Sequence, residues 1–219
     1  MRSRTSGTRS GITTGKMIHQ ARLYDLFVAL LMLGRAGALR DRTIELADIV
    51  PGEDVLEVGC GTGEIAMRAK ARTGPAGAVA GIDPASEMIA MARQKASQAG
   101  VDIDYRVSAV EALPFLDATF DAVVSSLMLH HLPEDLKPRA LAEVRRVLKP
   151  GGRLVVVDFK RPTSRLERLS PVWLLHRSVE AHSSLQKLPA LMTAAGFSTI
   201  ESRDTGIAYL GCVRARVGQ

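Results

Sequence analysis

The chain has 219 residues, a hydrophobic fraction of 46%, a charged fraction of 24% and a formal net charge of +6. That length suits one domain around one core, and the composition excludes a disordered or low-complexity protein. With 2 cysteines, Cys60 and Cys212, it lacks the material for a disulfide framework, so reduced thiols and a cytoplasmic setting are expected.

Residues 1–16 are rich in Ser, Thr, Gly and Arg and read as a mobile basic tail without the apolar core of a secretory signal. Arg2, Arg4, Arg9, Lys16 and Arg22 all precede the first acid, Asp25. From Met17 to Leu33, apolar residues at helical spacing predict a helix, and a second is predicted from Ala38 to Ile49. The apolar run Leu26 to Leu33 is too short to span a bilayer.

Strands and helices then alternate. Strands are predicted at Asp54–Val58, Ala78–Ile82, Ile103–Val107, Phe120–Ser125 and Arg153–Asp158. Helices are predicted at Glu64–Arg72, Pro84–Gln98 (with Pro84 in the first turn) and Pro138–Leu148. Residues 159–185 break the rhythm and read as a cap insertion carrying Trp173, His176 and His182 among Lys160, Arg161, Arg165, Arg168 and Arg177. A helix from Leu185 to Ala195 follows, then strands Phe197–Ser202 and Ile207–Val213 as an antiparallel pair. The expected fold class is α/β, a Rossmann-like doubly wound sheet of seven strands. It is mostly parallel, has an antiparallel C-terminal edge strand, and carries helices on both faces.

The densest chemical signal is Val55-Leu-Glu-Val-Gly-Cys-Gly-Thr-Gly63, a strand entering three glycines before a helix. Glycines there permit positive φ and close approach of a ligand to the backbone. The spacing Gly59-x-Gly61-x-Gly63 departs from the G-x-G-x-x-G of dinucleotide sites. Glu57, two residues before the first glycine, suits a ligand with a positive amino group better than a pyrophosphate. Asp83 closes the second strand, where an acid can accept from both hydroxyls of a ribose.

Six blocks in order carry a resemblance: Glu57-x-Gly-Cys-Gly-Thr-Gly63, Gly81-Ile-Asp83-Pro-x-Ser86-x-Met88, Glu111-Ala-Leu-Pro-Phe115, Phe120-Asp121-x-Val123, Leu129-His-His-Leu132 and Leu148-Lys-Pro-Gly-Gly-Arg-Leu154. Over Pro51 to Asp158 the chain resembles class I methyltransferases dependent on S-adenosylmethionine, nearest in type to those of ubiquinone and menaquinone biosynthesis. The resemblance implies S-adenosylmethionine as cofactor and S-adenosylhomocysteine as product. It implies that Glu57 and the loop Gly59, Cys60, Gly61, Thr62 and Gly63 surround the methionine part, and that Asp83 and Pro84 border the ribose. Met88 is either an apolar wall near the adenine or helix core. Ala109, Val110 and Glu111 would line the adenine edge, and Ser125 would lie near the cofactor's amino group. One departure stands out: Ala109 occupies the position where many relatives place an adenine-contacting Asp, with Ser108 or backbone as alternative contacts.

Methyl transfer from a sulfonium needs alignment and exclusion of water, and a base only where the acceptor carries a proton. The candidates for a catalytic role are Tyr24, His130 and His176. His130 and His131 read as lining the pocket or supporting it rather than acting in chemistry. Tyr24 either closes over the cofactor or packs in a helix face. No cluster has metal-ligand spacing, so no metal is expected. The preferred acceptor is small and apolar or amphipathic, a quinone-like carbon or a lipid amine, with transient contact between the basic segments and an anionic membrane surface. Nucleic-acid methylation is the second enzymatic reading, disfavoured by an aromatic content of 4%. A non-catalytic cofactor-binding module, supported only by Ala109, is the reading of another class.

Overall fold

The computed structural model describes residues 36–160, 185–207 and 209–218. The predicted helix at 17–33, the body of the 159–185 insertion, and with them Tyr24, Trp173, His176 and His182, lie outside the described residues.

Short apolar runs rich in Val, Ile and Leu become the strands β1 (Val55–Val58), β2 (Val79–Asp83), β3 (Asp104–Val107), β4 (Phe120–Ser126) and β5 (Leu148–Phe159). They are joined by β6 (Phe197–Asp204) and β7 (Leu210–Val217) in one sheet of order β3-β2-β1-β4-β5-β7-β6. The first five are parallel. β7 runs antiparallel to both β5 and β6, so the antiparallel C-terminal strand sits one place in from the rim that β6 forms.

The helices are α1 (Ala36–Ala47), α2 (Glu64–Thr73), α3 (Ser86–Ala99), α4 (Lys137–Val147) and α5 (Leu188–Ala194). Side chains alternate along each strand, which divides the core in two. Val55, Val79, Val124 and Val155 meet apolar residues of α1, α2 and α3 on one face. Leu56, Ile82, Val123 and Val156 meet those of α4 and α5 on the other. The order of the sheet reverses beside β1, which has β2 on one side and β4 on the other, making the carboxyl ends of these strands the natural ligand crevice.

The opposite end of the sheet is locked by charge. Lys149 holds Asp54 and Asp121 at 3.0 and 2.8 Å. Buried Arg153 donates to the carbonyls of Ala47 and Asp48 and to Glu53, tying β5 to the end of α1. Two of the sequence blocks quoted above, around Asp121 and Lys149, are therefore structural at this end.

Several boundaries differ from those expected. Pro84 precedes α3 instead of entering its first turn, because Ala85 is the extended cap residue and its N–H donates to Asp83 at 2.9 Å. β5 begins at Leu148, paired with Phe120, and passes an irregularity before rejoining β4 at Ala122 opposite Arg153. β7 begins three residues later than expected, because Thr205 Oγ1 ties a turn to Ile207 and Leu210.

Candidate functional site

β1 ends in a loop that only glycine can build. Gly59, Gly61 and Gly63 have φ of 71°, 51° and 82°, in the left-handed region. Space forbids larger residues as well. A Cβ on Gly59 would lie 2.3 Å from Met128 Cγ, and one on Gly63 would lie 2.2 Å from the Tyr105 hydroxyl. That hydroxyl donates to the Gly63 carbonyl at 3.1 Å, so β3 supports the loop from beneath. Gly63 caps α2, leaving the first amides of that helix aimed at the loop.

The acids predicted for the site fall into place around this loop. Asp83 accepts the Gly61 N–H on Oδ2 at 3.0 Å and the Ala85 N–H on Oδ1 at 2.9 Å. A carboxylate has about four lone-pair sites, so each oxygen retains one for a ligand. Burial pushes the Asp83 carboxyl up from its ordinary range, with the two amide donors opposing. Glu57 is 3% exposed and accepts the Ala66 N–H of α2 at 2.8 Å. Burial drives its carboxyl well above the usual range, the Ala66 amide opposes this, and the nearby Asp83 charge adds to the rise. A positive group in the cleft would offset that cost.

A cleft opens between α1 and the loop, lined by Leu39, Arg40, Glu57, Gly61, Thr62 and Ser126. On its outer side Glu64 accepts from Lys95 at 2.9 Å and from Arg68 at 3.0 Å, and Lys95 also donates to Thr62 at 3.0 Å. The Cys60 thiol is buried beneath the loop, and burial holds it well above its ordinary range, which makes it a packing group.

The adenine-edge candidates follow β3. Ala109, Val110 and Glu111 are all buried. The Ser108 amide donates to the Asp83 carbonyl at 3.1 Å, and its hydroxyl donates to the Ala112 carbonyl at 2.9 Å. Met88 belongs to neither main core; it forms a small cluster with Ala85 and Met91 beside the end of β2. Ser125 and Ser126 diverge: Ser126 reaches the cleft, whereas Ser125 is fully buried with its hydroxyl unpartnered among the described residues.

Beyond β4 a short 3-10 turn, Leu129–His131, brings both histidines to the carboxyl end of the sheet. Asp158 Oδ1 at the end of β5 lies within hydrogen-bond reach of His130 Nδ1, at 2.7 Å. Rings continue in a row: His131 lies 3.9 Å from His130, Phe159 meets His130 edge-on at 5.1 Å, and Tyr209 stacks on Phe159 at 6.4 Å. Sequence reasoning singled out His130 and missed Asp158, Arg40, Lys95 and Tyr105. Asp158 had a visible signal, an acid closing an otherwise apolar strand as Asp83 does. The other three are placed by tertiary packing, which leaves no local mark.

Comparison with known proteins identifies the family. Residues 55–152 match a family model described as a methyltransferase domain. The chain is 35% identical over 196 residues to a demethylmenaquinone methyltransferase of Thermus thermophilus, covering 80% of this chain and 88% of that one. It is 31% identical over 203 residues to a ubiquinone/menaquinone biosynthesis C-methyltransferase of Escherichia fergusonii, covering 81% and 79%. A solved S-adenosylmethionine-dependent methyltransferase from Aquifex aeolicus shares the fold with a TM-score of 0.71 at 22% identity, over 90% of this chain and 97% of that one. So does a Haemonchus contortus phosphoethanolamine N-methyltransferase solved with S-adenosylmethionine, with a TM-score of 0.67 at 17% identity, over 85% and 53%.

Proposed function

Because the chain belongs to the ubiquinone/menaquinone-biosynthesis type of class I S-adenosylmethionine-dependent methyltransferases, we propose that it methylates a ring carbon of a quinol, the reduced form of a quinone. The observation that carries this reading is the extent of the similarity. The 35% identity runs over 80% of the chain, well beyond the cofactor-binding residues 55–152 and into the part that would surround an acceptor. The row of rings His131, His130, Phe159 and Tyr209, tilted, edge-on and stacked in turn beside the ends of β4 and β5, offers aromatic faces and edges to a planar ring.

When bound, S-adenosylmethionine supplies a methyl group on a sulfonium that carries its own leaving group. The chain's residues fit that cofactor. The glycine-rich loop Gly59–Gly63 would hold its methionine part, the remaining lone pairs of Asp83 would accept the ribose hydroxyls, and buried Glu57 would face positive charge. Ala109, Val110 and Glu111 would border the adenine. A ring carbon attacks a methyl group only when electron-rich, which favours the dihydroxy form over the quinone. The protein's task is to align the ring and exclude water.

A quinol with an apolar tail resides in a bilayer. The net charge of +6, with basic runs in the sequence at residues 2–22 and 160–177, supports transient contact with an anionic membrane from the cytoplasmic side.

The test is turnover by the full chain with S-adenosylmethionine and a short-chain 1,4-naphthoquinol kept reduced, with phosphatidylethanolamine vesicles as the amine alternative. Ring-carbon methylation, one methyl per S-adenosylhomocysteine formed, is expected. Methylation of the lipid amine in its place contradicts the proposal.

A further inference from the structure

Asp158 is 1% exposed and yet carries a carboxylate. Three donors hold it: the His130 amide at 3.1 Å on Oδ2, the Phe159 amide at 2.8 Å on Oδ1, and His130 Nδ1 at 2.7 Å on Oδ1. An ionised carboxylate only accepts, so the network assigns the hydrogen of the imidazole to Nδ1. Nε2 then keeps its lone pair, and among the described residues it makes no hydrogen bond. The same carboxylate grips both the backbone and the ring of His130, which fixes the direction of that lone pair.

The placement matters as much as the tautomer. His130 lies two residues beyond Met128, whose side chain packs directly over Gly59 of the cofactor loop. It stands in the ring row at the carboxyl ends of β4 and β5, the edge where open α/β sheets bind ligands. A buried acid orienting a histidine at such an edge is more than packing requires, since an apolar pair of the same volume would fill the space without desolvating a charge.

We propose that His130 is the base that takes the acceptor's hydroxyl proton, with Asp158 as its positioning residue; this rests on the quinol reading above. The O–H bond of the quinol breaks, its electron pair stays on the oxygen, and the proton goes to Nε2. The ring carbon beside that oxygen becomes the stronger nucleophile and forms the new carbon–carbon bond as the methyl–sulfur bond breaks. The methylated carbon then loses its own hydrogen as a proton, and His130 returns the one it holds to the oxygen. The net release is one proton per methyl transferred. Among the described residues, the titratable groups in direct contact with the His130 ring are Asp158 on β5 and His131 on its own turn.

The experiment is the pH profile of kcat for the full chain with a reduced short-chain naphthoquinol, in wild type, His130→Gln, His131→Gln and Asp158→Asn. Wild type is expected to show an ascending limb. His130→Gln is expected to lose that limb and about 10²–10⁴-fold in kcat, the usual worth of a general base, while keeping its calorimetric affinity for S-adenosylhomocysteine. Asp158→Asn is expected to fall similarly, because an amide disrupts the tautomer. His131→Gln is expected to keep the limb. A naphthoquinol made more acidic by an electron-withdrawing substituent should restore much of the rate to His130→Gln. The proposal is overturned if His130→Gln keeps wild-type kcat and limb, or if His131→Gln is the variant that loses the limb. Should the variants fail to fold, the wild type decides: the limb should vanish with the most acidic quinol, and its persistence unchanged overturns the proposal. A wild type that binds S-adenosylmethionine but methylates no quinol overturns the quinol reading itself and this inference with it.

Discussion

Glu57 sits 3% exposed at the end of β1, where an apolar residue would pack better. Burial, above all, raises its carboxyl well above the ordinary range, so the folded chain holds this proton to higher pH than the unfolded chain does. The contribution to stability is therefore full below the unfolded value and is lost as pH rises through the folded one. Glu57→Gln keeps an acceptor for the Ala66 amide and removes the cost of ionisation. It should raise Tm at about pH 8 and change it little near pH 4. The same variant should bind S-adenosylmethionine more weakly. Scanning calorimetry at both pH values checks the first point, and a Tm unchanged at the higher pH contradicts it. Ala109 makes a second test at this scale. Ser108 already spends its hydroxyl hydrogen on the Ala112 carbonyl, so Ala109→Asp adds a carboxylate at the position where the adenine contact is expected. Titration should show tighter S-adenosylmethionine binding by roughly 1.5 kcal/mol or more; weaker binding means the adenine lies elsewhere.

At the scale of elements, the glycine loop and the β5 anchor carry the site between them. Gly59→Ala meets Met128 and a positive φ together, so it should cost about 2–4 kcal/mol in urea unfolding as well as cofactor affinity. Arg153→Met leaves Glu53 and the carbonyls of Ala47 and Asp48 without their shared donor, and should cost about 3 kcal/mol. A loss below about 1 kcal/mol would show the anchor to be solvated in practice. These elements also show what was legible in the sequence. Strands β1, β2 and β4 were plain because a parallel strand buried on both faces must be apolar throughout, and because their ends carry glycine, Asp83 or serine. The start of β5 was not, since Pro150 and Gly151 read as a break, while Gly151 in fact adopts φ 76° within an irregular pairing. The start of β7 was displaced because the turn is set by Thr205, whose hydroxyl bonds act across residues that look strand-like.

For the whole molecule, the alternation of elements made the doubly wound sheet readable, and the six ordered blocks identified the cofactor. Pairings distant in sequence were beyond reach: Tyr105 beneath Gly63, and Asp158 on His130, join residues 42 and 28 positions apart. The charge of the molecule makes its own prediction. Vesicles containing anionic lipid should sediment the protein in a salt-sensitive way, and equal binding to neutral vesicles would remove the membrane proposal. The most direct test of the site is calorimetric titration of the full chain with S-adenosylmethionine, S-adenosylhomocysteine and NADH, in wild type and Asp83→Ala. Saturable binding of the two adenosyl compounds alone, lost in a variant that still unfolds cooperatively, is the predicted result. Undiminished binding by Asp83→Ala, or binding of NADH instead, would contradict the placement of the cofactor at the ends of β1 and β2.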